Sequence, residues 1–209
     1  MIHPVLATVI AISGPPGSGK TTLADALSRR LGDAAVLTMD HYQRMTQMPI
    51  EEVECWRSRG ADIDELHVGP LAEHLEALKQ GRGVKDPATG AAIVPRRFIV
   101  FDTHFGRAHT STGALIDRLV WLDTPPDIAL ARNLRGFLKP LLEPSPPDRA
   151  RDRLQWVDRY LEQYESVVSS LLHMQAARIR PGADLLIPSR CTTSDSVDQV
   201  CHLLAAAGC

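Results

Sequence analysis

Cysteine is sparse and scattered. Four residues, Cys55, Cys191, Cys201 and Cys209, contain no Cys-x-x-Cys pair. That spacing excludes a compact zinc site or a disulfide scaffold and leaves free reduced thiols as the expectation. Excess charge of one sign is also missing: the formal net charge is −2, which provides no global field for a nucleic acid or a membrane surface. Long apolar runs are absent too. The N-terminal run Val5–Ile12 is too short to span a bilayer and lacks the basic start of a signal peptide, so a cytoplasmic protein is expected. Asparagine occurs once, at Asn133, and is followed by leucine. An Asn-Lys-x-Asp guanine-reading motif therefore cannot be present. Asp102-Thr-His-Phe-Gly106 likewise misses the Asp-x-x-Gly spacing of a switch protein.

What is present is an ordinary globular composition, with 209 residues, 44% hydrophobic and 23% charged. One domain spanning 1–209 is expected, with an acceptor-side excursion at about 41–97 and a lid region at about 128–155. The most informative stretch is Gly14-Pro-Pro-Gly-Ser-Gly-Lys-Thr21, which fits Gly-x4-Gly-Lys-Ser/Thr between a β-rich run and a helical pattern. Gly14, Pro15, Pro16, Gly17, Ser18, Gly19, Lys20, Thr21 and Thr22 form the candidate triphosphate cradle. Gly17 and Gly19 let backbone N–H groups turn inward toward phosphate oxygens. Lys20 is placed to reach the β- and γ-phosphates, the Thr21 hydroxyl to ligate Mg²⁺, and the helix N-terminus to add a positive dipole end. With the guanine motif excluded, the expected donor is ATP with Mg²⁺.

Five apolar runs alternate with helical patterns: Val5–Ile12, Ala34–Met39, Phe98–Phe101, Leu119–Leu122 and Leu185–Ile187. Nearly continuous apolar strands separated by helices imply a three-layer α/β/α fold around a five-stranded parallel sheet. Ligands of such sheets gather at the carboxyl ends of the strands, and Asp40 and Asp102 close two of them. Asp123 closes a third, although Thr124-Pro-Pro-Asp127 reads more naturally as a cap for the next helix. Within the excursion the periodicity predicts a helix over Asp64–Lys79 and a hairpin over Val84–Val94 around Asp86-Pro-Ala-Thr-Gly90. Helices are predicted over Asp127–Leu138 and Arg149–His173, separated by a proline-rich loop at Pro140–Pro147.

Phosphoryl transfer requires a γ-phosphate held and neutralised and an acceptor hydroxyl relieved of its proton. Asp40 is the candidate base, with Tyr42 beside it shaping an acceptor pocket. Asp102 is the candidate second metal residue after Thr21. Arg132 and Arg135 share one helix face, as guanidinium groups brought onto the transferring phosphoryl by a lid would. His104, two residues beyond Asp102, is a candidate substrate contact.

At these residues the chain resembles the uridine kinase and phosphoribulokinase group of P-loop kinases. Gly14–Thr22 is similar to its ATP loop, and Leu37-Thr-Met-Asp-His-Tyr42 to its strand ending in the catalytic aspartate. Phe98–Gly106 stands in place of its Val-Glu-Gly strand end, with Asp102 at the glutamate. Asp123–Arg135 resembles the approach to its lid, placing Arg132 and Arg135 on lid arginines. Gln163-Tyr164 and Pro181–Pro188 resemble its late Gln-Tyr and Ala-Asp-Ile-Ile-Pro patterns, which makes Gln163 a further substrate candidate. The resemblance implies a kinase acting on a small-molecule hydroxyl acceptor, with no nucleic acid or membrane partner; a homo-oligomer is left open. Two departures concern the acceptor. The hairpin has neither the Tyr nor the His that helps to hold the pyrimidine, and the lid's usual Arg-Gly-Arg is absent.

A nucleoside or nucleoside-like acceptor leads. Pantothenate, a sugar phosphate or another hydroxylated metabolite follows. A nucleoside monophosphate would need an arginine cluster, which Arg44, Arg57 and Arg59 would have to supply. Outside enzymes, the alternative is a nucleotide-binding regulatory module.

Overall fold

The computed structural model describes residues 6–43, 48–142 and 147–208, with the side chains of residues 50 and 147–149 also left out. The first strand, β1 (Thr8–Ser13), ends in the glycine-rich turn, and helix α1 (Lys20–Leu31) starts directly from it. Strand β2 (Ala34–Thr38) leads into a single 3-10 turn, Met39–His41, which carries Asp40. The excursion then contains α2 (Ile50–Ser58), α3 (Leu71–Lys79) and the hairpin strands β3 (Val84–Lys85) and β4 (Ala92–Ile93). The chain returns through β5 (Phe98–Asp102), the short α4 (Thr110–Gly113), β6 (Arg118–Asp123) and α5 (Pro126–Leu138). It ends with α6 (Pro147–Gln163), a π-helical segment at Tyr164–Val168, α7 (Ser169–Ile179), β7 (Leu185–Pro188) and α8 (Thr193–Ala206).

The five long strands form one parallel sheet in the order β2-β5-β1-β6-β7. Because side chains alternate across a strand, Val9 and Ala11 face one layer while Ile10 and Ile12 face the other. Both sets are fully buried. Val9, Ala11, Leu37, Phe101 and Leu119 pack with Leu71, Leu75 and Leu78 of α3 and with Ile179 at the end of α7. Ile10, Ile12, Val100 and Val120 pack with Leu23 and Leu27 of α1 and with Val197, Val200 and Leu204 of α8. Two buried faces explain why the strands read as apolar throughout rather than alternating, and they bear out the three-layer expectation. Each fully buried leucine removes enough apolar surface from water to contribute about 2 kcal/mol. The three-leucine face of α3 therefore anchors the excursion firmly to the sheet.

The excursion departs from expectation in two places. No helix runs over Asp64–Lys79. A 3-10 turn at Ile63–Glu65 is followed by an extended link, and α3 begins only at Leu71, after Pro70. The reason is local: the residue before a proline is pushed away from helical geometry, and Gly69 adopts a positive φ of 52°. Helix α2, over a stretch to which the sequence pattern assigned no element, is amphipathic but brief, burying Val53 and Trp56. The hairpin is as expected, pairing Val84 with Ile93 and Lys85 with Ala92. Helix α6 starts earlier than Arg149, and the expected single helix is interrupted by the π-helical segment before α7. Part of the proline-rich loop, Arg44 and the side chain of Arg149 lie outside the described residues.

The α5 cap expected at Thr124-Pro-Pro-Asp127 falls on Pro125, which makes no side-chain hydrogen bond. Asp123, just before it, accepts from the Arg180 guanidinium through both carboxylate oxygens, at 2.9 and 3.0 Å. This bidentate pair ties the end of β6 to the turn after α7, and it holds the carboxyl below the usual range.

Candidate active site

The parallel register sets the geometry. Asp102 lies opposite Ile12 on one side and Thr38 on the other, so the glycine-rich turn, Asp102 and Asp40 emerge at one edge of the sheet. Gly17 has a φ of 84°, and a Cβ built there would stand 2.2 Å from the Ala129 carbonyl oxygen of α5. Only glycine meets both demands, and α5 is thereby packed against the turn. Gly19 precedes α1 in left-handed geometry at φ 97°.

Lys20 is buried at the centre of the turn, its ammonium donating to the carbonyls of Gly14 at 3.0 Å and Pro15 at 3.3 Å. Burial pushes its pKa down, against the opposing pull of Asp102 and Asp40. A buried cation whose direct partners among the described residues are carbonyl oxygens is held where an anion would gain most from it. Thr21 donates its hydroxyl to Asp102 Oδ2 at 2.7 Å, and Asp102 is itself buried. This pair offers two hard oxygen ligands. Among the described residues no group of three or more His, Cys, Asp or Glu side chains could cage a metal. Such a sparse donor set fits Mg²⁺, which keeps several waters and binds through one or two protein oxygens plus substrate phosphates. Thr21 and Asp102 would hold it.

Asp40 accepts from His104 Nε2 at 2.7 Å and from Gln43 Nε2 at 3.1 Å. The His104 hydrogen bond is the largest reason its carboxyl is lowered to about 2. Tyr42 differs from expectation. It is buried in the core, with its hydroxyl 2.9 Å from His74 Nδ1, and burial raises it to about 12. A tyrosine locked in this way supports the wall behind the site. His41, next to Asp40, lies 2.6 Å from Asp86, whose other oxygen accepts the N–H groups of Ala88 and Thr89 in the hairpin turn. The hairpin is thus strapped to the segment that carries the candidate base.

Two cavities flank this edge. One, of about 270 Å³, is lined by Ser18, Gly19, Thr22, Thr124, Arg132 and the segment Ile187–Ser196, among others. Among the described residues, Ser18 Oγ and Thr124 Oγ1 in its wall are buried without a hydrogen-bond partner, as hydroxyls that await a polar ligand would be. Arg132 donates to the Ser189 carbonyl at 3.0 Å. The other, of about 380 Å³, is lined by Gln43, Met48, Glu52, Trp56, Arg59, Glu65, His67 and Phe105, among others. Two of its lining residues touch the Asp40–His104 pair: Gln43 is hydrogen-bonded to Asp40, and Phe105 stands against the His104 ring.

A family model described as an AAA domain matches residues 10–135, from β1 into α5. The chain belongs to the AAA domain family. Among curated proteins, the chain is 24% identical over 200 residues to the uridine kinase of Geobacillus kaustophilus, with 86% of this chain and 85% of that protein covered. Against uridine-cytidine kinase-like 1 of Mus musculus the identity is 25% over 207 residues. That match takes in 93% of this chain, which spans only 36% of the mouse protein. A solved putative fructose transport system kinase from Silicibacter sp. TM1040 shares the fold, with a TM-score of 0.53, 21% identity and coverage of 90% and 92% of the two chains. The resemblance to the uridine kinase group is borne out.

The remaining site candidates of this AAA domain separate clearly. Arg135 is exposed three residues beyond Arg132 on α5, and Gln163 is exposed at the end of α6; neither side chain is hydrogen-bonded to the turn or to Asp40 among the described residues. Residues that sequence reasoning missed include His74 behind Tyr42, Ser189 beside Arg132, and Gln175 of α7, which donates to the His104 carbonyl at 2.5 Å. Their partners lie 32 to 71 positions away in the chain, and no local motif marks such pairs. Since Arg132 is tethered to the wall of the smaller cavity, its truncation to alanine is expected to raise the KM for MgATP several-fold and to lower kcat less. Steady-state kinetics with varied MgATP check this. A fall in kcat at unchanged KM would mark a transition-state contact instead.

Proposed function

We propose that the protein is an ATP- and Mg²⁺-dependent kinase that transfers the γ-phosphoryl group to a hydroxyl of a nucleoside or nucleoside-like acceptor. The observation that carries this reading is that Asp40 emerges on the same sheet edge as Lys20 and the Thr21–Asp102 pair, while its hydrogen-bond partner Gln43 lines the larger cavity. The smaller cavity, against Gly19 and Thr22, takes the donor base and ribose, and the larger one takes the acceptor. In the donor, Mg²⁺-bound ATP supplies an electrophilic phosphorus and a leaving group. Lys20 and the N–H groups of the turn neutralise phosphate charge, Thr21 and Asp102 hold the metal side, and Asp40 accepts the acceptor proton as the new P–O bond forms.

The charges around the larger cavity favour a neutral acceptor. Arg59 pairs with Glu65 at 2.8 Å, and Glu52 adds a second carboxylate to the wall. Among the described residues, a phosphate entering there would meet more acid than free base. That argues against a nucleoside monophosphate or a sugar phosphate. Helix α2, not the hairpin, forms the nearer wall, which accounts for a hairpin without the Tyr and His of the uridine kinases.

An ADP-release screen with MgATP against uridine, cytidine, pantothenate, a sugar phosphate and nucleoside monophosphates tests this. A nucleoside is expected to stimulate release at least tenfold over the acceptor-free rate. Stimulation by a phosphorylated compound alone would overturn the acceptor class, and stimulation by none would sink the kinase reading.

A further inference from the structure

We infer that His104 is a positioning residue for the candidate base: it pins Asp40 through Oδ1 so that Oδ2 faces the acceptor hydroxyl. This rests on the reading of Asp40 given above and deepens it. Asp40 sits on a single 3-10 turn with its side chain 58% exposed, whereas the His104 side chain is only 19% exposed. An exposed carboxylate free to rotate would spend much of its time misaligned. Both side-chain donors, His104 Nε2 and Gln43 Nε2, converge on Oδ1. Oδ2 is left without a protein donor among the described residues.

His104 is anchored from behind. Gln175 of α7 donates to its backbone carbonyl, and its ring stands against the edge of Phe105, with centroids 6.4 Å apart. Two segments distant in sequence from Asp40, the end of β5 and helix α7, therefore help to fix one carboxylate oxygen. Donation to a carboxylate requires the proton on Nε2, which sets the imidazole tautomer. In the transfer step the acceptor oxygen attacks the γ-phosphorus, its proton passes to Asp40 Oδ2, and the bond to the β,γ-bridging oxygen breaks as ADP leaves. His104 gains and loses nothing in that step. The strong hydrogen bond makes Asp40 a weaker base, but in a loose phosphoryl-transfer transition state alignment counts for more than basicity.

The test compares His104→Ala, His104→Gln and Asp40→Asn, with uridine as the acceptor probe. Glutamine can place its Nε2 where the imidazole Nε2 stands. His104→Ala is expected to lower kcat by about 10- to 100-fold with little change in KM for MgATP, and His104→Gln to recover most of the loss. His104→Ala at the wild-type rate, beside an impaired Asp40→Asn, would overturn the positioning role alone. Asp40→Asn at the wild-type rate would overturn the base assignment itself. Equal impairment by Ala and Gln would mean that the ring touches substrate. The ¹⁵N spectrum of the His104 ring, recorded above the ordinary imidazole range, gives a readout that needs no acceptor. It should report the Nε2–H tautomer in the wild type and a mixture in Asp40→Ala, which offers the ring no acceptor, and an unchanged tautomer there would overturn the contact.

Discussion

Lys20→Ala is expected to lower turnover by about 10²–10³-fold, the cost of removing one preorganised charge from a phosphate site. The size follows from burial. The ammonium is enclosed by the turn, with only the carbonyls of Gly14 and Pro15 as direct hydrogen-bond partners. It is therefore worth far more to a triphosphate than a surface lysine would be. The fold should survive, because both hydrophobic cores are built from other side chains. Thermal melting monitored by circular dichroism should show a transition near that of the wild type, while MgATP affinity and kcat both fall. Near-normal turnover would remove the glycine-rich turn from the catalytic account.

Asp40→Asn should be at least as damaging to kcat, by about 10²–10⁴-fold, with MgATP binding changed little. The substitution is isosteric, so His104 and Gln43 can still approach the side-chain oxygen, but the amide cannot take the acceptor proton. Isothermal titration of MgATP alongside kcat separates the two effects. The pH dependence follows from the lowered pKa. A carboxyl held at about 2 in the folded protein is ionised at all ordinary pH values. Its stabilising contact with His104 is present above the unfolded carboxyl pKa and is lost as pH falls through about 2. An acid limb of kcat between pH 5 and 7 would therefore belong to another group. If that limb vanished in Asp40→Asn, the lowered pKa would be wrong.

The two variants probe opposite halves of the site, and the sequence rendered those halves unequally. The donor half was legible because its geometry is local. Gly14–Thr22 is one continuous stretch between a strand and a helix, and each fixed residue would act on phosphate through its own backbone or its own side chain. Asp102 was also legible, since the end of an apolar strand beside that turn has only one edge on which to emerge. The acceptor half was not. Tyr42 reads from its position as a pocket residue, yet its hydroxyl reaches His74, 32 residues later, and the ring goes into the core. Asp123 reads as one more carboxylate at a strand end until Arg180 takes both of its oxygens. Helix α2 has too few apolar positions for a periodic signal, although it forms a wall of the larger cavity.

By itself, then, the amino-acid sequence determined the layer architecture, the phosphate turn and the identity of the two aspartates at the strand ends. Each follows from local conformational preference, or from an apolar pattern that can be buried in only one way. Tertiary structure alone decided which side chains those aspartates meet. The Asp40–His104 contact spans 64 residues and depends on β2 and β5 lying side by side. A hydrogen bond of that kind is selected by the packed distance between elements, which no window of sequence contains.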